Sequence, residues 1–364
     1  MDRLRIAQVA PLYESVPPRG YGGTERVVSY LTEELVRMGH EVTLFASGDS
    51  STSARLVPAG KRSLRLDPGC VDPLAHHLLL VEQVYRRAAE LDLVHFHVDY
   101  VHFPATRRQR VPHLTTLHGR LDVPDLVPLY REFRDMPVVS ISNAQRQPLP
   151  WLDWRATVYH GLPAGTGCLP PGGFGGGGGP GSGFAGPNRY LAFLGRVSPE
   201  KGLGAAIEIA CRTGRILRVG AKVDRADQDY FERELRPLLR PPRVEFLGEI
   251  GDDEKLRLLA GADALLFPID WPEPFGLVMI EAMACGTPII ARGCGAVAEV
   301  MADPRCGFVC STIDEAVAAV GRLPELTRRG CRQVFEERFT ASRMAAEYVR
   351  VYRALLEEER DAVA

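Results

Sequence analysis

Lysine is scarce in this chain: only Lys61, Lys201, Lys222 and Lys255 occur among 44 basic residues. We read this as a compositional bias toward arginine, which makes each lysine that does occur more informative. Excess charge is missing too, with a formal net charge of −2 at pH 7, so nothing electrostatic argues for a nucleic-acid partner or an anionic membrane. No apolar run approaches the ~18 residues that a membrane helix needs. The start, "MDRLRIAQVAPLY", runs into a short strand and carries no signal-peptide core. Cys-x-x-Cys is absent as well. The eight cysteines are scattered, several in apolar runs (Cys211, Cys285), and Cys306/Cys310 is the only close pair. Buried free thiols in a reducing compartment fit this usage better than disulfides or zinc. These absences together indicate a cytoplasmic protein with at most peripheral membrane contact.

At 364 residues the chain is long for one core, and two domains are expected. Short apolar runs of strand composition ("LRIAQVA", "EVTLFA", "LDLVHFHV", "HLTTLHG", "PVVSISNA") alternate with amphipathic helices. The first helix carries Val27, Val28, Leu31, Leu35 and Met38 on one stripe, with Thr24 as N-cap and Gly39 as stop. Such alternation implies a parallel sheet covered on both faces. A glycine- and proline-rich tract, 164–188, interrupts the pattern and reads as a linker or long loop; Pro171 and Pro180 and the lack of a leading strand argue against a nucleotide-binding loop. The alternation then resumes through "RYLAFLGR", "RILRVGA", "RVEFLG", "ADALLFPI" and "TPIIAR", and ends in a helix with Met344, Tyr348, Val351, Tyr352 and Leu355 on one face. The chain therefore divides into 1–163, 164–188, 189–340 and 341–364, an α/β protein of two doubly wound domains. Ligands of such sheets gather outside the strands' carboxyl ends, which are expected to face a central cleft.

The stretch "PEPFGLVMIEAMACGTPII" places Glu273 between two prolines and Glu281 inside an apolar helix. The residue before a proline is biased away from helical torsions, so Glu273 is extended, and Pro274 suits the first helical turn. A carboxylate in so apolar a helix needs a partner if buried. The amides of Phe275, Gly276 and Leu277 at the helix start can receive hydroxyl or phosphate oxygens, so the stretch reads as an anchor for a polyhydroxylated, phosphorylated ligand; the bland alternative is a surface turn and one salt-bridged glutamate. At ~1.5 Å rise per residue the two Cα atoms lie about 12 Å apart, beyond the ~5–9.5 Å carboxyl separation of glycosidases, which disfavours hydrolysis.

In "FLGRVSPEKGL", Gly195 permits a turn, and Arg196 and Lys201 bracket a loop closing at Gly202. Two cations beside a strand's end can neutralise a diphosphate; the alternative is a solvated basic turn. In "PPRGYGGTERVV", Gly22 and Gly23 lie between the first strand and first helix, where backbone amides can approach a phosphate or sugar. This is not the Gly-x-Gly-x-x-Gly dinucleotide fingerprint, since the third glycine falls at Glu25; the alternative is a structural turn. His118 ends a strand ahead of Gly119 and is expected to project into the cleft. His95, His97 and His102 lie near another strand end; a zinc site is conceivable but lacks acidic or cysteine partners, and one of the three is expected to pack against the core. Asp227 and Asp229 read as a helix-start acidic pair, and Arg107–Arg110 as a solvated loop, with an acceptor or membrane patch as the alternative.

In order along the chain, "YGGTERVV", "TTLHG", "VYHGLP", "GRVSPEKG" and "PEPFGLVMIEAMACGTPII" resemble the retaining nucleotide-sugar glycosyltransferases of family four, with Glu273 and Glu281 matching the Glu-x7-Glu signature. The resemblance implies the GT-B fold of two Rossmann-like domains, an N-terminal acceptor domain, a C-terminal donor domain and a last helix crossing back to the first. It implies transfer of a hexose from a nucleoside-diphosphate sugar to an acceptor hydroxyl, with no metal and no cofactor; the acceptor is a saccharide, a lipid-linked molecule or a natural product. Arg196 and Lys201 would hold the diphosphate and Glu281 the ribose. Glu273 with the amides of Phe275, Gly276 and Leu277 would hold the sugar, the Gly22–Gly23 loop would cover the donor, and His118 would line the reaction centre. The segment "GCGAVAEVM" keeps Glu299 but lacks the serine and proline often seen there. The alternatives are a sugar-nucleotide 2-epimerase of the same fold and a non-catalytic nucleotide-sugar-binding protein.

Overall fold

The computed structural model describes residues 3–20, 22–167, 190–239 and 243–363. The tract expected as a linker at 164–188 lies outside these from residue 168 onward. Two compact units result: 1–163 together with 340–364, and 164–339.

Unit 1 holds seven strands: β1 (Arg5–Val9), β2 (Glu41–Ala46), β3 (Arg55–Pro58), β4 (Leu93–Phe96), β5 (His113–Thr116), β6 (Val138–Ser140) and β7 (Trp154–Thr157). They pair in the order β3-β2-β1-β4-β5-β6-β7, and every pairing is parallel. The order reverses between β1 and β4, whose register sets Gln8 beside His95. Apolar side chains fill both faces. Ala7, Val9, Phe45, Leu80, Val94 and Phe96 form one cluster, and Val28, Leu44 and Ala46 belong to another. Burial on both faces explains the near-continuous apolar strands.

The first helix, Gly23–Arg37, buries Val27, Val28, Leu31 and Leu35, each contributing roughly 1.5–3 kcal/mol by the area taken from water. Its N-cap is Gly22 and no side chain caps it; Thr24 lies one position inside the helix, so the expected threonine cap is not used. Gly39, at φ +90°, follows the helix end as expected. The last helix, Ala341–Val363, belongs to unit 1 and packs on the first helix. Its Met344, Tyr348, Tyr352 and Leu355 are buried.

Unit 2 holds β8 (Tyr190–Arg196), β9 (Ile216–Lys222), β10 (Val244–Gly248), β11 (Ala264–Phe267), β12 (Ile289–Arg292) and β13 (Gly307–Cys310). Their order is β10-β9-β8-β11-β12-β13, again parallel throughout, with the reversal between β8 and β11. Leu191, Phe193, Leu217, Val219, Leu266 and Ile290 share one core with Leu203, Ile207 and Val320 from covering helices. Both units are thus doubly wound Rossmann-like sheets, the α/β architecture expected. Three strands escaped the sequence pattern: β3, β7 and β13 are only four residues each and sit at sheet edges, where pairing on one side demands little apolar content.

Among the described residues no helix is long and apolar enough to cross a membrane. Of the described cysteines all are free, and Cys306, Cys310 and Cys331 are buried. Cys211 is exposed and Cys285 half-buried, correcting the expectation that both are core thiols: Cys211 occupies the solvent side of the Leu203–Arg212 helix.

Candidate functional site

In unit 2 the strand order reverses between β8 and β11, the place where sheets of this kind bind ligands at the strands' carboxyl ends, and two loops leave the sheet there. The first leaves β8 at Arg196. Gly195 lies within that strand, so it is not the turn the sequence suggested; the turn comes at Gly202, at φ +74°. A Cβ there would sit 2.1 Å from the Pro268 carbonyl oxygen, so only glycine lets this loop lie against the second one. That second loop leaves β11 and carries Trp271 and Glu273. Lys201 Nζ donates to Glu273 Oε2 at 2.6 Å, and Trp271 Nε1 donates to the same oxygen at 3.0 Å. The lysine also lies 4.6 Å from the centroid of the Trp271 ring, a cation–π contact. Trp271 was not among the site residues singled out from the sequence; an aromatic two positions before that glutamate was the available signal.

Arg196 does not join this pair. Its guanidinium bonds Glu200 at 3.1 Å and approaches Asp224 at 3.9 Å, and Asp224 also holds Lys222 at 3.0 Å. Arg196 and Lys222 are register partners at the ends of β8 and β9, so two cations share one carboxylate there. The Arg196 Nε is buried without a partner. Burial alone raises the Glu200 pKa, but its own amide, the Ser198 hydroxyl and Arg196 outweigh this and hold it below the usual range.

The helix carrying Glu281 runs Leu277–Ala284 and buries Met279, Ile280, Ala282 and Met283. It begins later than expected. Gly276, at φ +83°, is its N-cap, so Pro274 and Phe275 precede it and their backbone is not helical. Of the three amides expected at the helix start, only that of Leu277 belongs to the helix. The cause is the left-handed glycine, which turns the chain just after the Pro-Glu-Pro segment. Glu281 is 7% exposed and accepts from Lys255 Nζ at 2.5 Å, which meets the requirement that a buried carboxylate be paired. Lys255 lies in the first turn of the Asp252–Gly261 helix; its rarity as a lysine was the only sequence clue.

Glu273 is fixed from behind by the loop after β12. Ala296 N donates to the Glu273 carbonyl at 2.9 Å. A Cβ on Gly295, at φ +58°, would lie 2.4 Å from both the Glu273 nitrogen and oxygen. The sequence that lacks serine and proline here thus still serves to seat Glu273.

In unit 1 the loops after β1, β4 and β5 gather candidates. Gly22 packs so closely that a Cβ would meet Pro18 at 2.8 Å. Gly23 is already the first helical residue, a correction to its placement in the loop. His118 lies two residues beyond β5, and its Nε2 is 2.9 Å from His97 Nδ1. The His118 and His160 rings stack at 5.3 Å. Burial pushes the His118 pKa down to about 3, and drives His95, His97 and His160 well below the ordinary value. The His118 amide also supports Asp99, a residue the sequence reading missed. Asp99 has a left-handed backbone, φ 48°, rare outside glycine, and burial lifts its pKa to about 6 against the lowering effect of that amide bond.

His102 stacks on Phe96 at 3.7 Å and bonds Thr115 and Thr106, so it is a core residue as expected. Among the described residues no group of three or more His, Cys, Asp or Glu is arranged to hold a metal. Arg107 pairs with Glu132 and Asp135, and Asp229 with Arg233, which gives both segments a structural account. A groove of about 410 Å³ lined by Trp154, Arg155, Val351 and Leu355 contains none of the candidates.

Residues 21–157 match the family model described as Glycosyltransferase Family 4, and residues 180–328 match Glycosyl transferases group 1. An uncharacterized glycosyltransferase of Methanocaldococcus jannaschii is 23% identical over 97% of this chain and 99% of its own length. Further relatives at 27–32% identity align over less than half of their own length. Among solved structures, a glycosyltransferase involved in avilamycin A biosynthesis superposes with a TM-score of 0.72 at 26% identity, covering 97% of this chain and 98% of that one. HepE of Anabaena, solved in complex with UDP and glucose, has a TM-score of 0.71 at 19% identity over 97% of this chain and 100% of its own, a likeness of fold.

Proposed function

We propose that this chain, a glycosyltransferase of the GT-B fold, moves a hexose from a nucleoside-diphosphate sugar to an acceptor hydroxyl with retention at the anomeric carbon and without a metal ion. The observation that carries the reading is the Lys201–Glu273 pair beside Trp271 at the β8/β11 crossover. It sets a phosphate-seeking cation next to a hydroxyl-seeking carboxylate at the place where doubly wound sheets bind ligands. The UDP and glucose bound by HepE give the donor class its likeness among proteins of this fold.

On this reading Arg196 and Lys201 take the diphosphate, and the negative charge that grows on it as the glycosidic bond breaks is met by these preorganised cations, the kind of effect that dominates many enzyme rates. With that charge met by side chains, metal independence follows. Glu273, together with the backbone of Phe275, Gly276 and Leu277, holds the sugar hydroxyls, and Glu281 the ribose. The Gly22–Gly23 loop covers the donor, and His118, neutral at physiological pH, contacts the reacting sugar. Retention has the acceptor oxygen bond the anomeric carbon on the face the diphosphate leaves, its proton passing to the departing phosphate oxygen. The acceptor is a saccharide, lipid-linked or natural-product hydroxyl, and the free thiols suit a reducing cytoplasm.

Incubation with a panel of nucleotide sugars and candidate acceptors, with and without EDTA, tests this. The expected result is EDTA-insensitive nucleotide release matched by a glycoside whose anomeric proton coupling shows the donor's configuration. An isomerised donor would instead make the protein an epimerase, and binding without turnover would make it a nucleotide-sugar receptor.

A further inference from the structure

We propose that Gln8 and His97 are positioning residues that hold His118 as its Nε2–H tautomer, leaving Nδ1 to accept a hydrogen bond from a substrate hydroxyl. The inference rests on the reading of His118 as a sugar-contacting residue and adds to it which ring atom acts and what fixes it.

Hydrogen-bond directions carry the argument. Gln8, fully buried on the central strand β1, sets its amide oxygen 2.8 Å from His97 Nε2. An amide oxygen only accepts, so His97 Nε2 carries hydrogen. His97 is enclosed and neutral, so its Nδ1 is bare and accepts. The atom facing that Nδ1 is His118 Nε2, 2.9 Å away, which must therefore carry the hydrogen. His118 Nδ1 is left with its lone pair, buried and without a hydrogen-bond partner.

The other end of Gln8 is satisfied in the same orientation. Its nitrogen lies 3.2 Å from the Tyr352 hydroxyl and 3.5 Å from His95 Nδ1. Tyr352, accepting from Gln8, turns its own hydrogen to His95 Nδ1 at 2.8 Å. His95 Nε2–H then donates to Thr116 at 2.8 Å, and Thr116 meets Tyr348 at 2.8 Å. Reversing the Gln8 amide would reverse the protons through both histidines and leave His118 with a buried N–H lacking an acceptor, a costlier state than a bare lone pair. The hydroxyls of Tyr348, Tyr352 and Thr116 can donate or accept in either arrangement, so it is the partnerless Nδ1 of His118 that selects this one. A purely packing role predicts none of this directionality.

The test uses the full-length protein with 15N-labelled histidine, His118 being assigned by its loss in His118→Gln. In the wild type the ring spectrum should show a protonated Nε2 and a bare Nδ1 at His118. Gln8→Met, which keeps volume but removes the acceptor, should give His118 mixed tautomers and lower kcat roughly ten-fold, the scale of one hydrogen bond, with donor KM nearly unchanged. A wild-type His118 with its proton on Nδ1 overturns the proposal even if Gln8→Met cannot be purified, and so does a Gln8→Met protein with wild-type tautomer and kcat. Failure of the wild type to use any donor would undo the functional reading instead, while the tautomer measurement stands independently.

Discussion

Lys201 and Glu273 neutralise each other across 2.6 Å in the place we assign to the donor. Their side chains are 16% and 11% exposed, so water screens them only in part. A diphosphate arriving at Lys201 and a sugar hydroxyl arriving at Glu273 must replace this bond with two others. The pair therefore keeps two charges compatible with a half-buried site until a ligand able to satisfy both is present.

Removing the cation should then cost turnover. Lys201→Met is expected to lower kcat/KM on the order of 100- to 1,000-fold, as when one preorganised charge-stabilising donor is lost. Steady-state kinetics on a variant whose thermal melt remains cooperative would check it, and wild-type kinetics would remove Lys201 from the site.

Removing the anion should split binding from transfer. With Glu273→Gln, Lys201 loses its internal counterion, so a free nucleoside diphosphate should bind more tightly while sugar transfer falls. Calorimetric titration with the diphosphate, run beside a transfer assay, reads both signs. Weaker diphosphate binding would show that Glu273 does not compete for Lys201.

Glu281 is expected to report on ribose. The wild type should prefer a nucleoside diphosphate over its 2′,3′-dideoxy analogue by about 10- to 100-fold, the range of a hydrogen bond to a charged group. Glu281→Gln should shrink that preference. An equal preference in both proteins places Glu281, with Lys255, in a structural role only.

Gly295→Ala should impair transfer although residue 295 is itself exposed. Its Cβ collides with the Glu273 backbone at 2.4 Å, and the positive φ is strained for alanine. Loss of activity with a small drop in melting temperature is the expected pair of results; full activity would mean that Glu273 tolerates displacement.

Acid should destabilise unit 1 well before ordinary carboxylates titrate. His95, His97, His102 and His160 are pushed far down by burial, His113 to about 4 and His118 to about 3. Below about pH 6.5 the unfolded chain takes up protons that the folded one refuses. Stability should therefore fall with pH from there toward the folded values, by up to about 1.4 kcal/mol per unit for each such histidine. Asp99 works the other way: its folded pKa, near 6, lies above the unfolded one, so its ionisation opposes folding at neutral pH. Asp99→Asn should melt higher than wild type at pH 7.5, with the gap closing as pH falls below 6. Melting points that stay flat between pH 4 and 6.5 would show that these rings are not held neutral.

How far the site was legible differs from residue to residue. Lys201 and Glu273 stood out because a rare lysine and a glutamate flanked by prolines are local features. Their partners, Trp271 and Gly295, were not recognised as partners because nothing in one chain's order says that the loops after β8, β11 and β12 meet. The helix start was misplaced because Gly276 adopts a left-handed turn that composition permits but does not demand. Gln8 looked like one polar residue in an apolar strand.

By itself the sequence determined two doubly wound sheets, since strand-length apolar runs alternating with amphipathic helices can bury their apolar faces in few other ways. It also determined the identity of the charged residues at the strand ends. Only the tertiary structure decided which charge faces which: Lys201 with Glu273, Lys255 with Glu281, and Arg196 with Glu200 and Asp224. It likewise decided the Gln8–His97–His118 relay. Strand register and loop approach set those distances, and a hydrogen bond or ion pair depends on distances of a few ångströms between residues that lie tens or hundreds of positions apart in the chain.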